Sequence, residues 1–300
     1  MSNYKFIRKY RLVIGETNTG TSTDKKSSVI TDQHIEFDTQ HHQGSKPDTM
    51  ELKIFNLSKS TIALFDKKDV LVSLYVGYGD DELVLLFRGN KSFMETTKSN
   101  TEIITRILVT DGYVTIREGR AHTTQPEGTT VEAIIRDIVK KGMPEITNIN
   151  MNGEALKRTY NSGYAVNGNA STALNSICSS NALMWNISEN VTLNVFPIKG
   201  NIKKEATIIS PDTGLINTIE KTNQDIKSLK KDLDAPEDEG IKFKMFLNPL
   251  VKAGQLISIQ GTFGTDGVYK VMYVTHSGSY EGDQWETTVE AENTSYRTTK

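Results

Sequence analysis

The stretch "KKDVLVSLYVGYGDDELVLLFRG", residues 67–89, sets two runs of β-branched, aromatic and leucine residues on either side of a Gly/Asp-rich turn. That pattern predicts an antiparallel hairpin, with Asp80 and Asp81 as turn residues rather than a paired acid and base. Far along the chain, "VKAGQLISIQGTFGTDGVYKVMY", residues 251–273, repeats the order of strand, Gly/Asp turn and returning strand. Each is then followed by a second polar turn and a Thr/Val/Glu-rich strand, "NTEIITRILVTDG" at 100–112 and "QWETTVEAEN" at 284–293. Two related β units, distant in one chain, are the organisation this implies.

Around the first hairpin, "YKFIRKYRLVIG", "SVITDQHIEFDT" and "MELKIFNL" add further short strands, as expected of a barrel or sandwich. Ser58 is placed to cap a short helix in "NLSKSTIALF", and the polar "ETNTGTSTDKKSS" at 16–28 reads as a loop. His41 and His42 are adjacent, would face opposite ways on a strand, and in "DTQHHQGSKPD" are expected on a turn.

The period changes in the middle of the chain. Val131, Ile134, Ile135, Ile138 and Val139 follow i, i+3, i+4, i+7, i+8, the signature of an amphipathic helix. Thr129 with Glu132 suggests a capping box, Lys140 and Lys141 suit the C-terminal dipole, Gly142 the left-handed position beyond it, and Pro144 a stop. A second helix over 171–181 and two short strands about Glu189 and Asn190 complete a small α+β unit, in which Cys178 is expected as a buried structural thiol. The predicted division is therefore a β domain over 1–118, an α+β domain over 119–198 and a second β domain over 199–300, with "KTNQDIKSLKKDLDAPEDEG" at 221–240 as a charged linker or extended hairpin.

Three hundred residues suffice for two or three cores, and 36% hydrophobic with 24% charged residues is the composition of a globular protein. No window approaches a membrane span. The start scatters Lys5, Arg8, Lys9 and Arg11 among apolar residues, which is not a signal peptide, so synthesis in a cytoplasm and no membrane anchor are expected. A formal net charge of -2 argues against an electrostatic nucleic-acid binder. Sequons such as those at Asn56 and Asn186 carry little weight without a secretion signal.

The densest candidate site is "VTHSGSYEGDQWETTVEAE", residues 274–292, which holds His276, Glu281 and Asp283. One imidazole and two carboxylates are too few for a zinc site, and the two glycines of "SGSYEGDQ" are turn chemistry. His276 is thus expected to end a strand, with Glu281 and Asp283 in a long loop. "DLDAPEDEG" lacks the order of a calcium loop and puts Pro236 where a ligand should be. No phosphate loop, dinucleotide fingerprint or nucleophile elbow is present. The expectation is no enzyme, with no catalytic, cofactor-binding or metal residue, no cofactor, and a function carried by surfaces.

In order along the chain, "FNLSKSTIALF", "VLVSLYVGYGDDELVLLFRG", "VTDG", "GTTVEAIIRDIVKKG", "NASTALNSICSSNALMWNISENVTLNVFP", "NPLVKAGQLISI" and "GVYKVMYVTHSGSYEGDQWETTVEA" together resemble the baseplate hub proteins of contractile-tailed bacteriophages. The resemblance covers most of the chain from about residue 50; the segments at 15–28 and 221–240 match nothing in it. It implies two tube-type β-barrel or sandwich domains flanking a middle α+β domain, in a virion structural protein of the tail baseplate. It further implies a homotrimer that adapts the hexameric tail tube to the central spike, contacts other baseplate proteins and lines the channel for DNA at genome ejection. No interface residue is nominated. The alternatives are a distal tube-tip protein of a non-contractile tail or related injection machine, a glycan-binding tail adhesin, and a hydrolase with an unfamiliar site. Trp185 and Trp285 sit in strand patterns that look packed, which disfavours the adhesin.

Overall fold

The computed structural model describes residues 7–16, 27–42, 46–198, 206–223, 239–262 and 264–293. The first part of the chain contributes β1 (Arg8–Glu16), β2 (Ser28–Ile30), β3 (Ile35–His42), β4 (Thr49–Phe55), α1 (Lys59–Phe65), β5 (Leu71–Tyr78), β6 (Val84–Ser99) and β7 (Glu102–Thr110). The middle adds α2 (Tyr113–Glu118), β8 (Arg120–Gln125), α3 (Val131–Gly142), β9 (Asn148–Met151), β10 (Tyr164–Asn169), α4 (Ala170–Ser180), β11 (Leu183–Ser188) and β12 (Thr192–Pro197). The last part adds β13 (Ala206–Ile209), β14 (Glu220–Asn223), β15 (Glu239–Phe246), β16 (Leu256–Ile259), β17 (Gly267–Ser279) and β18 (Trp285–Asn293). The fold is mainly β with a small α+β portion. Among the described residues no helix is long and apolar enough to cross a membrane.

The two β portions have the same connectivity. In the first, neighbouring strands run β1-β5-β6-β7-β4-β3; in the last they run β13-β16-β17-β18-β15-β14. Read in chain order, with the three-residue β2 beyond β1 left aside, both place the first, fourth, fifth, sixth, third and second strands side by side. They differ at the first strand, which pairs antiparallel in β1–β5 and parallel in β13–β16. Alternation builds both: inward Met50, Leu52 and Ile54 on β4 and Ile241, Phe243 and Met245 on β15 are buried, while Glu51, Lys53, Lys242 and Lys244 between them are not.

Three apolar clusters result. One collects β1 to β7 together with Leu247 and Trp285 from the last part of the chain, one the middle portion, and one the last β portion. In the middle, all five apolar positions of α3 are buried, with β8 and α4 packed against the helix. Two details of α3 differ from expectation. The cap is Thr130, whose side chain accepts from the Ala133 N–H, while the Thr129 hydroxyl bonds Pro126 O. Gly142 is the last residue of the helix rather than the one beyond it, and a Cβ there would meet that of Ala170 at 2.7 Å, so it is a contact glycine. Cys178 is buried, which pushes its thiol up to about 12.

The residues 17–26 of the expected loop and 224–238 of the expected charged run, Pro236 included, lie outside the described residues. β14 and β15, at the borders of the latter, pair antiparallel from Glu220↔Lys242 to Asn223↔Glu239, the base of a hairpin.

Candidate functional site

The two β portions share one sheet, and β17 joins them. Its first residues pair with β16, from Gly267↔Ile259 to Lys270↔Leu256, and its last with β3, from Tyr273↔His42 to Ser279↔Glu36. β18 follows its other side throughout, with one extra residue on β17, Met272, where the partner changes. The predicted strand end at His276 is therefore a strand centre: β17 continues to Ser279, and only Tyr280–Gln284 turn, closed by the Ser279 N–H to Gln284 O at 2.8 Å. His41 and His42 likewise belong to β3 and not to a turn, since β17 supplies them with a partner strand.

The joint is closed on its inner side by buried rings. Phe37 packs edge-on against Trp285 with centroids 5.3 Å apart, and both are buried. Burying two such rings contributes a few kcal/mol, roughly 2–3 for each. Gly278 makes the approach possible, for a Cβ there would meet the Phe37 ring at 2.4 Å. His276 is 2% exposed, its Nδ1 lies 2.8 Å from Thr287 Oγ1, and its N–H donates to Thr39 Oγ1. Burial, with the charges of His41 and Lys252, holds its imidazole well below the ordinary range.

The outer side of the same strands is polar. Glu36, Asp38, Glu51, Glu95, Glu286 and Glu290 point away from the cores, and Lys53, Arg106, Lys242 and Lys244 among them are paired. Lys53 meets Glu36 at 3.3 Å, Arg106 grips Glu51 at 2.8 Å and reaches Glu95, Lys242 meets Glu290 at 2.8 Å, and Lys244 meets Glu286 at 2.7 Å. Such exposed pairs add less than about 1 kcal/mol each to stability. Their effect is on the field: an acid-rich face on which these four cations are already engaged.

A second junction ties the middle portion to both β portions. The turn between β11 and β12 takes left-handed backbone at Glu189 and Asn190. The Asn190 N–H donates to Asp111 Oδ1 at 2.8 Å, and the Gly112 N–H donates back to Asn190 Oδ1 at 2.9 Å. Glu189 pairs with Lys252 at 2.8 Å. Burial, and then the charge of Asp48, push the Asp111 carboxyl well above the usual carboxylate range. Beside it Asp48 is held low: burial opposes its ionisation, but hydrogen bonds from His41 and His42 outweigh that cost. These groups border a cavity of about 390 Å³.

His41 Nδ1 meets Asp48 Oδ2 at 2.9 Å, and among the described residues its buried Nε2 has no hydrogen-bond partner. Among the described residues, no three His, Cys, Asp or Glu are arranged to hold a metal ion. His276, Glu281 and Asp283 are not brought together: the first is buried in β17, while Glu281 lies 3.8 Å from His34 and Asp283 offers its carbonyl to Arg8. Asp80 and Asp81 occupy the β5–β6 turn. Asp48 and Asp111 were not singled out from sequence, and Asn190 only as a turn residue; the one signal for Asp111 was its place beside glycine in "VTDG".

With this geometry, the chain has the fold of bacteriophage tail proteins and of related secretion-spike components. It superposes on the 43 kDa tail protein of prophage MuSo2 from Shewanella oneidensis with a TM-score of 0.63 and 8% identity, covering 95% of this chain and 96% of that one. A tail protein from Neisseria meningitidis MC58 gives 0.63 at 12% identity, over 95% and 97% of the two chains. The Escherichia coli c3393 protein, a component of the type VI secretion system with structural similarity to the T4 tail proteins gp27 and gp5, gives 0.61 at 12% identity, over 87% of this chain and 74% of that one. No protein-family model matches the sequence, and no curated protein does.

Proposed function

We propose that the chain is a structural, non-enzymatic component of a phage tail, and within the tail a baseplate hub. Three copies, each with two like β domains and a middle domain over about residues 119–198, would form a trimer that continues a sixfold tube while offering a threefold face to a central spike. The observation that carries this reading is the two-sided sheet. β14-β15-β18-β17-β3-β4-β7-β6 form one run of eight strands, apolar on the core side and acid-rich on the other. A wall beside moving DNA needs that chemistry, because free lysines and arginines would bind phosphate by releasing counterions, whereas paired ones beside carboxylates do not. The likeness to tail proteins along 95% of the chain supports the same reading. The likeness to the secretion-system component supports a second, a tube-tip or hub part of a related injection machine.

Electron microscopy of the full chain mixed with its tube and spike neighbours tests the proposal. The expected image is a threefold ring with the acid-rich face turned to the channel. Another symmetry, or that face turned outward, would overturn it.

A further inference from the structure

β6 and β17 occupy the same place in the two β portions, and each outruns its shorter neighbour, β5 or β16. Both carry one extra residue at the same point: Ser92 follows Lys91↔Val109, and Met272 follows Val271↔Ala291. The backbone agrees there too, with Lys91 N–H to Val70 O at 2.8 Å and Val271 N–H to Gln255 O at 2.9 Å. Phe93 is therefore the counterpart of Tyr273, and Ser99 of Ser279. Residues 273–279 are paired along their free side by β3. Among the described residues, no strand pairs with the same side of 93–99, where Phe93 is 46% exposed and Glu95 to Lys98 are exposed as well.

The other half of such a joint is also open. β14 is the counterpart of β3, since Glu220 faces Lys242 of β15 as Asp38 faces Glu51 of β4. Among the described residues, β14 pairs only with β15. One chain thus contains one completed joint, β17 with β3, and at opposite ends of its eight-strand run the two uncompleted halves of another.

We infer that residues 218–223 of one copy, β14 and the two residues before it, pair antiparallel with residues 94–99 of β6 in the next copy, in the register of the β17–β3 joint. Met94 then faces Asn223, Thr97 faces Glu220, and Ser99 faces Thr218. This rests on the trimeric reading above and specifies how the copies join. Strand direction permits it: the eight strands alternate, so β14 of the next copy arrives antiparallel to β6. Side-chain size permits it too. In the completed joint the large Phe37 lies over Gly278; here the smaller Ile219 would lie over Lys98, whose stem can cover it while the ammonium stays in water. Left unpaired, a long exposed edge such as 93–99 invites indiscriminate strand addition, and this pairing removes it.

Disulfide trapping in the full chain tests the joint. Ser277 Oγ lies 2.7 Å from Asp38 Oδ2 in the completed joint, so cysteines at the equivalent Thr97 and Glu220 should be within bonding reach. Both positions are exposed, so the substitutions leave the cores alone, and the buried Cys178 does not compete. Thr97→Cys/Glu220→Cys should oxidise to covalent species ending at three copies, read by non-reducing gel and native mass over a range of protein concentration. Thr97→Cys/Lys221→Cys, whose second thiol lies on the opposite face, should not. A trimer by mass without the bond overturns the joint and leaves the trimeric reading standing. Bonded ladders that run past three copies uphold the joint and overturn the trimer. Equal bonding in both variants, or no bonded species at any concentration, overturns the joint.

Discussion

The β6–β7 and β17–β18 hairpins are the same device in two settings. Both share the extra residue, the anchoring backbone bond and a polar pair across the strands, Thr96 with Thr105 at 3.2 Å and His276 with Thr287 at 2.8 Å. What differs is the free side. Where β3 covers it, the strand has Gly278 and a buried His276; where no described strand covers it, the same positions hold exposed Lys98 and Thr96. The backbone of a repeated unit can thus be kept while the side chains record which edge is closed within the chain.

The largest expected effect breaks that asymmetry directly. Gly278→Leu drives a side chain into Phe37 and Trp285, whose ring atoms a Cβ would already meet at 2.4 and 2.8 Å. A cost of about 3 kcal/mol in denaturant unfolding of the full chain follows from overpacking a closed site. Lys98→Leu, at the equivalent position of β6, should change stability by no more than about 0.5 kcal/mol. Similar costs at both sites would show that the two edges are equally closed in the single chain.

A smaller effect is expected where the middle portion meets the repeat. Asn190→Gly keeps the left-handed backbone but removes the acceptor of the buried Gly112 N–H, which should cost about 2 kcal/mol. An unchanged unfolding midpoint would mean that water reaches this N–H. The β17–β18 side of the comparison is then the only closed seam of the two.

Much of this was legible in the residues, and the rest was hidden for definable reasons. The helix at Val131–Gly142 announced itself because its apolar period is local, yet its cap slipped by one residue because Thr129 and Thr130 are adjacent and either could serve. The contact role of Gly142 depends on Ala170, which no local pattern names. The repeat was visible as hairpin order, since each hairpin is contiguous. The shared sheet was not, because Ser277 meets Asp38 across 239 residues, and "HSGS" has the composition of a turn although Phe37 makes it a strand. The junction at Asp111 escaped for the same reason: its partner turn lies in a different portion of the chain.

The smallest predicted effect concerns protons at the closed seam. His276 is held neutral well below its ordinary value of 6.5, first by burial and then by the charges of His41 and Lys252. A depressed folded value contributes stability that is present above the unfolded value and lost as pH falls below it, because the unfolded chain takes up a proton that the folded one refuses. One pH unit below 6.5 the loss amounts to about 1.4 kcal/mol. His276→Gln cannot titrate, so its stability should decline less than the parent's between pH 7 and about 5.5. Two neighbouring carboxyls do not imitate this. Asp111, raised by burial, favours the fold as pH falls and does so in both proteins, while Asp48, held low, loses its contribution only below the ordinary carboxylate value of 3.8. Thr96→Gln, at the equivalent position of β6, should leave the pH profile of the parent unchanged. Parallel profiles for the parent and His276→Gln would mean that His276 titrates in the fold as it does in water, and the seam that distinguishes β17 from β6 would be open to solvent.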